Sequence, residues 1–251
     1  MSPAESPVLL SFEGAVATIT LNRPAALNAI TVQMLDALDS ALADLHGRSD
    51  IVVVVITGAG RAFSAGVDLK ELGGRSLTNG AVGDYLDIPG QRVIERIERL
   101  DAIVIAKVNG FCFTGALELA LACDLIVTAD DAVLGDTHAK WGIRPSWGMS
   151  QRLPALVGPA TARLLSYRAA TFTGVQAREF GLAALSCPRA ELDDVTADLA
   201  RDIAANSRGA LMAYKDLYRA AQRLTVPEGL AYEANTSYPI DDTEERIAEF
   251  R

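Results

Sequence analysis

Histidine and cysteine are scarce in this chain. Its 251 residues contain two histidines, His46 and His138, and three cysteines, Cys112, Cys123 and Cys187. So few histidines exclude a histidine-rich metal site, and the cysteines lack the spacing of metal ligands. Their odd number and apolar neighbours indicate a reducing compartment. The sequence therefore predicts neither a metal centre nor a disulfide framework.

Long apolar runs are also missing, although half of the residues are apolar. No stretch approaches the roughly 20 uninterrupted apolar residues that a membrane-spanning helix requires. The polar N-terminal segment lacks the basic start and apolar core of a secretory signal. We therefore expect a soluble, cytoplasmic protein with no membrane partner.

Basic residues are outnumbered by acidic ones, and the net charge is −9. Because neutralising nucleic-acid phosphates requires a basic face, this charge argues against nucleic acid as a partner. It does not exclude a small anionic ligand, which needs only a few local cations and helix N-termini. Arg23, Lys70 and Lys215 are available for that purpose.

Two strand–turn–helix junctions stand out. One runs from the apolar strand pattern 51–56 through the turn 57–66, and the other runs from 103–108 through 109–115. A helix N-terminus presents unpaired N–H groups and the positive end of its dipole, so each junction can hold an oxygen that carries negative charge. Two such donors would stabilise an enolate-like oxyanion. Glu118, one turn inside the second helix, is placed for proton transfer next to a carbonyl.

The rest of the chain alternates strand and helix patterns, which predicts a largely parallel core with helices packed against it. The N-terminal patterns predict a hairpin of 8–11 with 16–21, a helix over 31–46, a strand over 124–128 and a helix near 90–99. Residues 71–89 are the least patterned and predict a mobile segment at the mouth of the site. Further helices are predicted over 159–168, 173–181, 191–206 and 208–223, followed by a tail after Pro227.

Three motifs carry a family likeness. They are Leu21-Asn-Arg-Pro-Ala-Ala-Leu-Asn-Ala29, Ala62-Phe-Ser-Ala-Gly-Val-Asp-Leu69, and Asn109-Gly through Gly115-Ala-Leu-Glu-Leu-Ala120 with Cys123-Asp124. In order and spacing the chain resembles the crotonase, or enoyl-CoA hydratase/isomerase, superfamily over nearly its whole length. The resemblance implies an α/β fold, a crotonase-like spiral of strand-strand-helix turns. It also implies a core over 1–190 and a C-terminal helical oligomerisation or lid region over 191–251.

The resemblance implies roles for individual residues. The oxyanion hole would come from the N–H groups of Val67 and Gly115, and Glu118 would hold and activate water. The second carboxylate of two-carboxylate hydratases is replaced here by His138, which can exchange a proton near neutral pH. Trp147 stands where the family usually has very small residues, which suggests a shortened acyl pocket.

The family works without a metal or redox cofactor, and coenzyme A enters as part of the substrate. Candidate coenzyme A contacts are Ala25, Leu27, Ala65, Asp68 and Lys70. A homotrimer or a dimer of trimers is expected. The function implied is hydration of a trans-2-enoyl-CoA to a 3-hydroxyacyl-CoA.

Other interpretations remain open at this point. Asp68 and Asp136 each fit a helix cap, and Glu118 fits a first helical turn on electrostatic grounds alone. His138 and Trp147 could be packed core side chains. The enzymatic alternative is an enoyl-CoA isomerase, which needs one carboxylate to move a proton between carbons. The alternative from another class is a non-catalytic acyl-CoA-binding homologue, which the loss of the second glutamate favours and the presence of Glu118 opposes.

Overall fold

The computed structural model describes residues 6–73 and 78–249. The strands in this part of the chain are β1 Val8–Glu13, β2 Val16–Leu21, β3 Val53–Gly58, β4 Ala62–Ser64, β5 Ile103–Val108, β6 Phe111–Phe113, β7 Leu125–Ala129, β8 Val133–Gly135, β9 Thr171–Thr173 and β10 Leu185–Cys187. The α-helices are α1 Val32–Leu45, α2 Leu69–Leu72, α3 Asp84–Arg99, α4 Gly115–Leu121, α5 His138–Trp141, α6 Met149–Arg168, α7 Gly174–Glu179, α8 Leu192–Ala204, α9 Arg208–Ala221, α10 Val226–Asn235 and α11 Thr243–Glu249. Short 3₁₀ helices span Pro24–Ala26 and Arg189–Glu191.

A six-stranded sheet forms the centre of the fold, in the order β1-β2-β3-β5-β7-β10. The β1–β2 pair is the predicted antiparallel hairpin, and every other neighbouring pair is parallel. All six residues of β3 are buried, which is why its first four residues form an unbroken apolar run instead of an alternating pattern. The prediction of a largely parallel core is confirmed.

A second sheet of four short strands, in the order β4-β6-β8-β9, carries the site. Three times in succession a strand of the large sheet is followed by a strand of the small sheet and then by helix: β3–β4, β5–β6 and β7–β8. This is the repeated strand-strand-helix turn that the family resemblance implies. Each turn brings a helix N-terminus to the same end of the small sheet. The sequence patterns gave no sign of this sheet because its strands have three residues each.

The prediction for residues 71–89 is wrong in part. Helix α3 begins at Asp84 instead of near 90, and α2 continues to Leu72. Pro89 and Gly90 obscure the helical pattern, yet both are buried within α3. Residues 74–77 lie outside the described part of the chain, so mobility of this segment stays a prediction.

The C-terminal half contains two further differences. The helix predicted from Pro159 is preceded by another over 149–157, and the two meet at a kink at Gly158, with φ 75°. The predicted tail after Pro227 is instead α10, where Pro227 occupies the first turn and Thr225 and Glu228 form a capping box.

The C-terminal helices contact the core. Helix α8 packs against the large sheet at β2, β3, β5 and β7, and α9 contacts β5. The division into 1–190 and 191–251 stays a prediction. Across the described residues, no helix combines the length and apolar character needed to cross a bilayer.

Candidate active site

The two strand–turn–helix junctions lie in contact. Gly66 has φ +88°, and a Cβ there would be 2.7 Å from the Phe113 carbonyl oxygen, so glycine allows the two turns to approach this closely. Thr114 has φ 53° and ψ −112°, a strained conformation for a β-branched residue. Its N–H donates to the Gly135 carbonyl, and its hydroxyl lies 2.6 Å from that of Thr137. These bonds hold the strained turn from which α4 begins.

Each junction contributes one backbone N–H to the cleft. Val67 forms a parallel bridge with Ile30 in which the Gly66 carbonyl and the Asp68 N–H make the hydrogen bonds, so the N–H of Val67 points away from Ile30. Gly115 is the first residue of α4. Over residues 6–73 and 78–249, neither N–H has a hydrogen-bond partner, and both residues line one cleft.

Glu118 is held by backbone groups from a segment about thirty residues later. It is 1% exposed, and all seven residues of α4 are buried. Its Oε1 accepts hydrogen bonds from the N–H of Trp147 at 2.9 Å and of Met149 at 3.0 Å. These two donors fix the carboxylate, so that Oε2 is the oxygen left to face His138.

His138 connects Glu118 to a second buried carboxylate. Its Nδ1 lies 2.7 Å from Asp136 Oδ1, and its Nε2 lies 3.5 Å from Glu118 Oε2. The first distance is a short hydrogen bond, whereas the second exceeds the usual N–H···O range and is an ion-pair contact. Asp136 and His138 are 4% and 6% exposed. The three side chains form a carboxylate–imidazole–carboxylate row.

This row changes the protonation of the imidazole. Burial lowers the pKa of His138, but the hydrogen bond to Asp136 and the negative charges of Glu118 and Asp136 outweigh it and raise the pKa to about 9. Burial opposes ionisation of Asp136, whereas hydrogen bonds from His138 and Ser166 lower its pKa overall. At neutral pH His138 is therefore an imidazolium that can donate a proton.

The cleft around these groups encloses about 940 Å³ of empty space, part of it open to solvent, which suits a ligand of small to moderate size. Trp147 lies in its wall and is 3% exposed. The indole fills the space beside two glycines, because a Cβ at Gly90 would lie 2.1 Å from Cε2 and one at Gly115 would lie 2.9 Å from Cζ3. Trp147 is thus both a packed aromatic and a wall of the cleft, next to a free N–H.

Similarity to known proteins identifies the family of this chain. The model of the enoyl-CoA hydratase/isomerase family matches residues 11–249. The chain belongs to the enoyl-CoA hydratase/isomerase family. It is a crotonase-type enzyme, and the predicted crotonase fold is confirmed by its structural relatives.

Individual members of this family include hydratases and an isomerase. A short-chain-enoyl-CoA hydratase of Clostridium acetobutylicum is 32% identical over 240 residues, which cover 95% of this chain and 91% of that protein. An enoyl-CoA hydratase of Bacillus anthracis superposes with a TM-score of 0.86 at 31% identity, covering 91% of this chain and 88% of its own. A monofunctional enoyl-CoA isomerase of M. smegmatis gives a TM-score of 0.75 at 26% identity, covering 92% and 100%.

The residues predicted for this enoyl-CoA hydratase/isomerase site fall into two groups. Those that line the cleft together are Ala65, Val67, Gly115, Glu118, His138 and Trp147. The remaining candidates, Ala25, Leu27, Asp68 and Lys70, lie beside the first junction. The Leu27 carbonyl accepts a hydrogen bond from the Ala65 N–H at 2.9 Å, and Lys70 is exposed at the start of α2. The roles assigned to all these residues stay predictions.

Two of the three cations considered for binding an anionic ligand, Arg23 and Lys215, already pair with carboxylates. Arg23 pairs with Asp68 at 3.2 Å, and Asp68 also caps α2 by accepting a hydrogen bond from the Lys70 N–H. Lys215 is not available for a phosphate, because its buried ammonium bonds the Ala102 carbonyl at 2.7 Å and Asp124 at 2.8 Å. Lys140 and Arg144, which the sequence analysis overlooked, line the cleft instead.

Sequence reasoning also missed Asp136 as a partner of the His138 ring and the N–H groups of Trp147 and Met149 as partners of Glu118. The first has a local signal, an aspartate two residues before the histidine, that was assigned to helix capping. The other two have none, since any residue but proline has a backbone N–H. In the described residues, no group of three or more His, Cys, Asp or Glu is arranged to hold a metal ion.

Proposed function

We propose that this enzyme adds water to a trans-2-enoyl-CoA to give a 3-hydroxyacyl-CoA, with His138 in place of the second carboxylate. The observation that carries the proposal is the pair formed by Glu118 and His138, 3.5 Å apart in a cleft that also contains two free N–H groups. Hydration needs a base for water, a proton donor for carbon and an oxyanion site. The cleft holds a candidate for each.

The first step is attack of water on the β-carbon, C3. The thioester oxygen accepts hydrogen bonds from the N–H groups of Val67 and Gly115, which stabilise the enolate as it forms. Glu118 takes a proton from water while the water oxygen bonds to C3. The two N–H donors at its Oε1 hold the carboxylate in place, so little reorganisation accompanies the step.

The second step is protonation of C2. The imidazolium of His138 donates its Nε2 proton to the enolate carbon, and Asp136 stabilises the ring through Nδ1. The proton that Glu118 took from water then returns to Nε2 across the 3.5 Å contact. The enzyme is restored, and the product has gained one water molecule.

We propose that the acyl group of the substrate is short. The indole of Trp147 occupies the space between α3 and α4 next to Gly115, so it fills a region beside the thioester position. If trimming Trp147 to Ala opens this space, longer chains should gain about 0.8 kcal/mol for each additional buried methylene. An unchanged chain-length profile in a folded Trp147→Ala variant would reduce the tryptophan to ordinary packing.

The remaining proposals concern coenzyme A and assembly. Ala25, Leu27, Ala65, Asp68 and Lys70 are proposed to contact the coenzyme A part of the substrate, with no metal or redox cofactor. A homotrimer or dimer of trimers is proposed as well. Exposed large apolar side chains on α6, α9 and α10 support an assembly that buries them, and they include Tyr167, Tyr218 and Leu230, at 78%, 67% and 62%. Light scattering should give three or six times the 26.6 kDa chain mass.

Incubation with crotonyl-CoA, followed by loss of the conjugated-thioester absorbance and by detection of 3-hydroxybutyryl-CoA, tests the proposed reaction. A hydratase consumes crotonyl-CoA and yields the hydroxy product. An isomerase leaves crotonyl-CoA intact but converts a 3-enoyl-CoA to its 2-enoyl isomer. A non-catalytic homologue binds both thioesters without turnover, and either of these last two outcomes contradicts the proposal.

A further inference from the structure

Helix α3 is tied to the segment 146–149, although α3 contributes no group to the reaction proposed above. Asp87 accepts the Ser146 hydroxyl at 2.5 Å, and Gln91 Nε2 donates to the Ser146 carbonyl at 3.1 Å. Gly90 lies directly beneath the Trp147 indole. The hydroxyl, carbonyl and ring of two consecutive residues are therefore all held by one helix.

A further connection reaches the same segment from the end of α3. Glu98 accepts hydrogen bonds from Arg152 at 2.9 and 2.5 Å, and Arg152 in turn donates to the Trp147 carbonyl at 2.8 Å. The carbonyl side of Trp147 is thus held by α3 through Arg152. The N–H of Trp147 donates a hydrogen bond to Glu118 Oε1.

Asp87 contributes a buried carboxylate to these contacts. It is 8% exposed, and within the described residues the Ser146 hydroxyl is the side-chain partner of its carboxylate. Because a buried carboxylate without a hydrogen bond is strongly disfavoured, Asp87 and Ser146 hold each other in one geometry. Ser146 and Trp147 share a peptide group. The position of Ser146 therefore sets the direction of the Trp147 N–H, from which Glu118 accepts a hydrogen bond.

We infer that Asp87 is a positioning residue for turnover: it fixes Ser146, and through the segment 146–149 it orients the carboxylate of Glu118. The inference rests on the proposed function for its kinetic consequence. Its structural consequence, a Glu118 that moves when Asp87 is removed, does not depend on hydration.

The kinetic test compares Asp87→Ala with Asp87→Asn, which keeps an acceptor for the Ser146 hydroxyl. Displacing a catalytic group by about 1 Å costs up to roughly 10²-fold in rate, so Asp87→Ala should lower kcat by about tenfold with KM little changed. Asp87→Asn should recover most of the rate. Glu95→Gln, on the exposed face of α3, is the matched control and should match the parent.

Double substitution separates positioning from general damage. In a Glu118→Gln background the remaining rate no longer depends on carboxylate orientation, so adding Asp87→Ala should cost nothing more. An equal loss in both backgrounds, or a loss confined to KM, overturns the inference. If Asp87→Ala does not fold, Ser146→Ala removes the same hydrogen bond from the other side.

A second readout works without turnover. Because the Glu118 charge helps to keep His138 protonated, displacing Glu118 should move the His138 titration, followed by ring NMR signals, toward its ordinary pKa of about 6.5. Asp87→Ala should show this movement, while Asp87→Asn and Glu95→Gln should not. An unmoved titration in folded Asp87→Ala overturns the inference, whereas a parent that titrates as described but does not hydrate crotonyl-CoA overturns only the proposed reaction.

Discussion

The two strand–turn–helix junctions have the same local design but different surroundings. The second leads into α4, whose seven residues are all buried and which carries Glu118. The first leads into α2, a four-residue helix with Leu72 as its buried residue and Lys70 exposed. Both offer one free N–H to the cleft, through Gly115 and Val67.

This difference suits the different roles proposed for the two junctions. A carboxylate that moves protons benefits from a buried, fixed support, since its orientation and protonation both depend on the surroundings. A junction that contacts a long, charged thioester benefits from exposure to solvent and from nearby cations. We expect changes to the buried groups of the second junction, and to the contact between the junctions, to affect kcat. We expect changes to the exposed side chains of the first junction to affect KM. The predictions below test that expectation in order of decreasing effect.

The largest effect is expected at Glu118. Glu118→Gln keeps the size of the side chain and an oxygen for the Trp147 and Met149 N–H groups, but it removes the base. Because general acid–base catalysis is typically worth about 10² to 10⁴ in rate, kcat should fall by that factor. The melting temperature should change little. Near-full turnover in the folded variant would remove Glu118 from the mechanism.

The next effect concerns the charge on His138. His138→Gln can still bond Asp136 but cannot supply an imidazolium, so kcat should fall by about 10². In the parent, kcat should decline as pH rises through about 9, since deprotonation removes the proton donor. Steady-state rates from pH 6 to 10 test both statements, and an unaltered alkaline limb in His138→Gln would assign that limb to another group.

The charge on His138 should also change the free energy of unfolding. The folded-state pKa of about 9 lies above the ordinary value of 6.5, so the stabilising effect of the charged ring is fully present below about pH 6.5. It is lost as pH rises through about 9. Denaturant unfolding at several pH values should show this decline in the parent and a weaker one in His138→Gln.

Contact between the junctions is tested by Gly66→Ala. The new Cβ would lie 2.7 Å from the Phe113 carbonyl oxygen at φ +88°, so the turns must separate. Backbone strain and overpacking of this kind typically cost about 1 to 3 kcal/mol of unfolding free energy, and kcat should fall by about tenfold. Gly229→Ala in α10 is the control, because in the described part of the chain the added carbon meets no heavy atom within 4 Å apart from its chain neighbours and the backbone of its own helix. Equal melting curves and rates for the two variants would disprove the close contact.

The smallest effect is expected at the exposed first junction. Lys70→Ala keeps the backbone N–H that Asp68 accepts but removes the ammonium group. An exposed ion pair contributes at most about 1 kcal/mol, so KM for the acyl-CoA should rise by a few fold and kcat should stay constant. Added salt should shrink the difference, because exposed charges are screened. A loss in kcat instead would show that Lys70 affects the chemical step, and it would contradict the expected difference between the two junctions.

The first half of the large sheet could be predicted because local patterns determine it. The valine run of β3 is buried on both faces, and α1 has a regular apolar stripe with Thr31 as its cap. The start of α3 could not be predicted, because Pro89 and Gly90 indicate a break in the helix unless the Trp147 indole beside Gly90 is known.

The residues of the site also differ in how well the sequence predicts them. Val67, Gly115 and Glu118 come from motifs, whereas the hydrogen bonds of Glu118 come from distant backbone groups.

The protonation state of His138 decides the proposed mechanism, because the reaction requires an imidazolium between two buried carboxylates. The sequence has two histidines, His46 and His138, so a His46→Gln variant leaves one imidazole to observe by NMR. We predict that the remaining ring stays protonated through neutral pH and titrates near pH 9. Titration at or below about 6.5 would contradict it, since the ring would then be neutral under the conditions in which it must donate a proton.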